Sequence, residues 1–234
     1  MEESKTIEYY NSLELKQWSS VKKYEFDGLK VVLDLHVSEN NEDDIVNIGF
    51  HYAPLMLRAI QNNISEDIKK AMIEKDITIL LTDVESVKIR YQKAEVEGCY
   101  DSTVNQVVIG LPGVNPIVCL FHEIGHFIDD FIGEMKCSEI NKEIKYYSEI
   151  SDYVQKAFEN ESDMFREYGK EGYGEFVAVA FENYFTGNLH SKNSPMTMNV
   201  VQIYLYLLAA KYGNTPKIDD IKNTYKDIEK IIYQ

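Results

Sequence analysis

Segments that read as strands stop at Gly110, and every apolar pattern beyond Asn115 has helical spacing. That order limits the chain to an α+β arrangement, a small mixed sheet followed by a mostly helical half. Residues 22–26 and 29–37 are β-rich runs around Asp27-Gly28, a two-residue signal for a type I′ hairpin. Residues 77–82, 87–91 and 106–110 supply three further strand-like runs, and Leu111-Pro112-Gly113 stops the last. Between them, residues 54–64 place Leu55, Leu57, Ile60 and Ile64 at helical intervals, and a second helix starts behind Ser65. The run 39–44 reads as an acidic loop.

In the second half, Asn115-Pro116 is a strong helix start, a capping side chain with proline at the first helical position. That helix is expected to reach about Ile132, with Gly133 as its C-terminal cap. Ile144, Tyr147, Ile150, Val154 and Phe158 form one apolar stripe. Further helices are expected over 174–185, closed by Gly187, over 197–212, ended by Gly213, and over 218–232. No repeat or low-complexity linker divides the 234 residues. The first 50 residues are read as an extension carrying the hairpin, and 51–234 as the main domain.

Charge narrows the partners. With 24 Lys and Arg against 39 Asp and Glu, the net charge of −15 repels phosphate backbones and anionic membrane surfaces. A peptide or protein partner with basic residues fits that field, and nucleic acid does not. No apolar run approaches 18 residues, so membrane insertion is not expected. The start, Met-Glu-Glu-Ser, lacks the pattern of a signal peptide, consistent either with a cytosolic chain or with a mature or shortened form of a delivered one. Three cysteines, Cys99, Cys119 and Cys137, do not make a disulfide framework.

The chemistry is concentrated in His122-Glu123-Ile124-Gly125-His126. Histidines four apart stand one turn above each other, about 40° apart around a helix, so both imidazoles reach one metal ion. Neutral imidazole suits Zn²⁺, and a catalytic site needs a third ligand and an open position for water. Glu123, beside the first histidine, is placed to take a proton from that water. A metzincin histidine would fall at position 132, which is Ile, so that class is excluded. Candidates for the third ligand are Glu134, Glu139, Glu171, Glu175, Glu182 and His190. Glu175 stands out because the uncharged run 176–180 follows it, and a carboxylate there is costly to bury unless paired or metal-bound. An ordinary first-turn glutamate favoured by the helix dipole explains it equally well.

Two blocks, HEIGHFIDDFIG over 122–133 and YGKEGYGEFVAVAF over 168–181, resemble the zinc metalloproteases typified by the anthrax toxin lethal factor catalytic domain. More distantly they resemble the bacterial Pro-Pro endopeptidases. The resemblance implies a zincin-like fold and a zinc endopeptidase with His122, His126 and Glu175 as ligands and Glu123 as general base. It also implies that Tyr168, seven residues before Glu175, faces the metal and hydrogen-bonds the oxyanion or leaving amine, with Tyr173 as the competing tyrosine. An extended peptide is then expected to add itself as a strand beside 106–110.

One position departs from that family. An acid usually stands one turn after the glutamate ligand, where it supports a ligand histidine; here it is Val179. Asp129, Asp130 or Glu182 are the candidates to replace it. Val179 is also the one feature favouring a docking module on a protease-like fold, and an intracellular regulatory protease shares the same site chemistry. Cys119, one turn before His122, reads as a small buried apolar residue, and Cys99 carries no nucleophile signature.

Overall fold

A computed structural model describes residues 21–35, 42–93, 96–137 and 145–214. The expected helix over 218–232 and the candidate Glu139 lie outside them, as does the part of the acidic run before Glu42. The architecture is α+β, with one five-stranded mixed sheet and seven α-helices among the described residues. The chain divides into two compact units, Met1–Ile64 with Asp76–Cys119, and Ser65–Lys75 with Leu120–Gln234.

The first unit holds the sheet. Strands β1 (Lys22–Phe26) and β2 (Leu29–Asp34) form the expected antiparallel hairpin. Its turn residues Asp27 and Gly28 have φ of 52° and 92°, the doubly positive pair that a type I′ turn requires. Leu29, Val31 and Leu33 are buried on one face of β2. Strand β2 pairs in parallel with β3 (Thr78–Asp83), and β3 in parallel with β5 (Gln106–Leu111). The hairpin is therefore built into the sheet, which runs across the expected boundary at residue 50. Strand β4 (Gly98–Asp101) pairs antiparallel with β5 and completes the order β1-β2-β3-β5-β4.

Two expectations are corrected in this unit. Residues 87–91 are not a strand but part of helix α3 (Val84–Tyr91). The Asp83 carboxylate accepts from the Ser86 amide at 2.8 Å and from its hydroxyl at 2.6 Å, and that cap starts a helix despite the alternating Val-Lys-Ile-Arg-Tyr pattern. The peptide-binding edge is likewise misplaced: β5 lies between β3 and β4, so both of its edges are taken. In addition, α1 (Glu42–Asn63) starts earlier than expected, so the end of the acidic run is helical rather than loop.

The second unit is helical. Helix α2 (Glu66–Glu74) is capped as expected by Ser65, whose hydroxyl accepts from the Ile68 amide. Helix α4 (Pro116–Cys137) starts on its expected cap, Asn115 Oδ1 accepting from the Val118 amide at 3.3 Å. It continues past Gly133, however, so that glycine is not a cap. A Cβ there would overlap the carbonyl of Lys145; the glycine is needed for a close chain approach. The stripe expected from Ile144 to Phe158 is not one helix: a 3₁₀ turn, Tyr147–Glu149, precedes α5 (Asp152–Glu161), with Ile144 outside the described residues. Helices α6 (Tyr173–Phe185) and α7 (Pro195–Lys211) follow the expected limits, with Gly187 and Gly213 at positive φ behind them.

Phe121, Phe127, Phe176, Phe181 and Tyr204 fill the core of this unit. Phe121 stacks on Phe185 at 4.8 Å between centroids, and Phe181 meets Tyr204 edge-on at 5.8 Å. Helices α4 and α6 touch where Gly125 faces Ala178: a Cβ at position 125 would lie only 2.7 Å from the Ala178 Cα. Two buried carboxylates tie the elements together. Asp129 accepts from the amide and hydroxyl of Ser148 at 2.8 and 2.6 Å and from the Tyr204 hydroxyl at 2.6 Å. Glu161 accepts from the amides of Met196 and Thr197, capping α7 from the end of α5.

Candidate metal centre

Helix α4 presents His122 and His126 one turn apart, their rings 4.9 Å apart and nearly perpendicular. Helix α6 brings Glu175 opposite them from its first turn. His122 Nε2 lies 3.1 Å from Glu175 Oε2, and His126 Nε2 lies 3.5 Å from Glu175 Oε1. Donors about 2.0–2.1 Å from one tetrahedral ion lie ~3.3 Å from each other. The two histidine-to-glutamate separations run to different oxygens of the Glu175 carboxylate, and one ligand atom from each residue falls within 4.8 Å of the others. These three residues could hold a metal ion. Of the alternatives by sequence, Glu134 is exposed and paired with Lys75, and Glu171 and His190 are exposed.

The close approach of helices explains why this works. Glu175 and Ala178 share α6, His122, Gly125 and His126 share α4, and the absent side chain at Gly125 lets the two helices touch. The costly carboxylate at the head of an apolar helix is thus paired, as its cost demands. Burial opposes ionisation of Glu175, but the hydrogen bonds and charges of His122 and His126 outweigh it and hold the carboxyl well below the usual range. Burial likewise opposes the charge on His122. Hydrogen bonds to the Glu175 and Glu182 carboxylates, with the nearby Glu123 charge, override it and raise the imidazole to about 9.

Glu182 answers the departure at Val179. Its Oε2 lies 3.3 Å from His122 Nδ1, on the ring edge away from Glu175. Seven residues after Glu175, it stands about 20° short of two full turns, on the same face of α6. Of the other two candidates, Asp129 instead binds Ser148 and Tyr204, and Asp130 is buried, 3.9 Å from Lys145.

Glu123 is buried beside His122, 7% exposed, and its charge is felt by both His122 and Tyr168. Tyr168 lies in a 3₁₀ turn, Glu167–Lys170, half-exposed, its ring edge-on to His122 at 6.1 Å. Burial, then the charges of Glu171, Glu175 and Glu123, raise its hydroxyl pKa, so it stays a proton donor through the neutral range. Tyr173, the competing tyrosine, packs against Phe158 at 5.1 Å. Cys119 Sγ lies beside Gly98 of β4 and is half-buried rather than buried as expected.

Sequence reasoning missed Arg166. It donates to Glu182 Oε2, lies 3.4 Å from His122 Nδ1, and spreads its guanidinium over the Tyr168 ring at 5.6 Å. Its position two residues before Tyr168 was the available signal. No protein-family model matches the chain, and no curated protein matches it. No helix among the described residues is long and apolar enough to cross a membrane.

Proposed function

We propose that this protein is a zinc-dependent endopeptidase on a zincin-like fold, resembling the lethal factor catalytic domain. The observation that carries the reading is the convergence of His122, His126 and Glu175, one ligand atom from each within 4.8 Å of the others, with Glu123 and Tyr168 beside them. Two imidazoles and one carboxylate are a donor set that suits Zn²⁺ and leaves a fourth position open. A zinc ion there would bring the pKa of a bound water towards 7 and polarise the scissile carbonyl.

The side chains divide the remaining work. Glu123 accepts the proton of the attacking water and delivers it to the departing amine. Tyr168, protonated and half-exposed at the mouth of the site, donates to the carbonyl oxygen as negative charge develops there. Glu182 accepts from His122 Nδ1, which fixes the tautomer whose Nε2 lone pair faces the ion. The net charge of −15 favours substrates with basic residues near the cut. The docking-module alternative drew its support from Val179, and that support weakens once Glu182 stands at His122.

The test is cleavage of a mixed peptide library by the zinc-loaded protein, with Glu123→Gln alongside. Cleavage that disappears with chelator, returns with zinc and falls 10²–10⁴-fold in Glu123→Gln supports the reading. Equal library turnover by both proteins contradicts it. Faster cleavage of Lys- and Arg-rich peptides than acidic ones is the expected preference, and equal rates would remove that part.

A further inference from the structure

One carboxylate oxygen in this site has two claimants. Glu182 Oε2 accepts from Arg166 Nη2, and the same oxygen is the atom 3.3 Å from His122 Nδ1. When His122 Nε2 faces an ion, Nδ1 carries the proton, so Arg166 and His122 are both donors to Glu182 Oε2. The arginine holds the closer contact, and its Nη2 stands 3.4 Å from Nδ1, donor beside donor. A guanidinium there weakens the acceptor that makes His122 a strong ligand, and it adds positive charge beside a cation site.

We infer that Arg166 is a positioning residue that acts through Glu182 and limits how strongly His122 holds a metal ion. The inference rests on the metal reading of the His122–His126–Glu175 group. The charge balance is consistent with it: Glu123, Glu175 and Glu182 carry three negative charges, which a divalent ion and Arg166 together neutralise. The same guanidinium lies over Tyr168, whose ring in turn meets His122 edge-on. A single side chain thus touches both the support of a ligand and the tyrosine at the site's mouth. The arrangement favours a less tightly held ion attached to a less basic histidine over maximal affinity.

Zinc alone is the probe, titrated against a chromophoric chelator at fixed pH and salt. Four proteins are compared: wild type, Arg166→Gln, Glu182→Gln and the double variant. Arg166→Gln is expected to bind zinc about 10-fold more tightly, whereas lost packing alone would weaken binding. Glu182→Gln is expected to bind 10–100-fold more weakly. In the Glu182→Gln background, removing Arg166 is expected to recover less than it gains in wild type, because the shared acceptor is gone. Unchanged or weaker binding by Arg166→Gln overturns the inference, as does an equal gain in both backgrounds, which assigns the effect to bare charge. The Arg166 side chain is half-exposed, and Arg166→Met, which keeps the aliphatic stem, repeats the test should the glutamine variant unfold. Wild type that binds no zinc at all is a separate result: it removes the metal site itself.

Discussion

Replacing Gly125 with alanine puts a Cβ 2.7 Å from the Ala178 Cα, 3.2 Å from the Phe181 Cβ and 3.3 Å from the Ala178 carbonyl oxygen. Carbon atoms in good contact sit at about 3.5–4.0 Å, so α4 and α6 must part by roughly 1 Å at that point. Overpacking of this kind costs about 1–3 kcal/mol, offset by about 1 kcal/mol of better helix propensity. The metal-free protein is therefore expected to lose up to about 2 kcal/mol. The effect on the site is larger. Glu175 rides on α6 one turn before Ala178, and ligand distances tolerate only about 0.2 Å. Zinc affinity is expected to fall at least 10-fold. Urea unfolding with chelator present gives the first number, and competition with a chromophoric chelator gives the second. An alanine variant that gains about 1 kcal/mol and keeps wild-type zinc affinity would show that the helices do not meet at Gly125.

Four other outcomes follow from the site and its surroundings. In chelator, His122, raised from 6.5 to about 9, contributes stability that is fully present below its unfolded value and lost as pH rises through about 9. Denaturant midpoints of the metal-free protein should fall between pH 6.5 and 9.5, by an amount on the order of 3 kcal/mol at most, and His122→Ala should flatten the profile. Zinc affinity should move the opposite way and tighten over that range, since the ion takes the neutral imidazole; calorimetric titrations at several pH values check this. Tyr168→Phe should lower kcat about 10–1,000-fold on a cleaved peptide while leaving zinc content intact, and equal losses of zinc and kcat would contradict its role as a donor. Asp129→Ala strands the Ser148 amide and hydroxyl and the Tyr204 hydroxyl, and should cost about 3 kcal/mol in urea unfolding.

What the sequence discloses here is local chemistry. Ser65 and Asn115-Pro116 start their helices because capping depends on residues three or four apart, and Asp27-Gly28 makes its turn because both residues tolerate positive φ. The two histidines share a helix face by spacing alone. Contacts between elements were not legible in the same way. The apolar alternation of 87–91 suggests a strand, and the cap that makes it a helix sits upstream of that window, at Asp83. Gly133 looked like a helix end, but what requires glycine there is the chain returning at Lys145. The short strand Gly98–Asp101 carries few strand-forming residues, so its pairing along β5 was invisible and the free edge was misassigned. Glu182 is among three candidates to stand behind a histidine, and the structure puts it, rather than Asp129 or Asp130, at His122 Nδ1. For Arg166 the sequence offered only its place two residues before Tyr168; its reach to α6 depends on how that turn folds back.

The central claim is a metal site built from His122, His126 and Glu175. Its most direct test is the zinc content of protein purified without chelator or added metal, measured for wild type and Glu175→Ala together. The account predicts close to one zinc per wild-type chain and little in the variant. Zinc retained by Glu175→Ala, or absent from wild type even after zinc is added back, would contradict it.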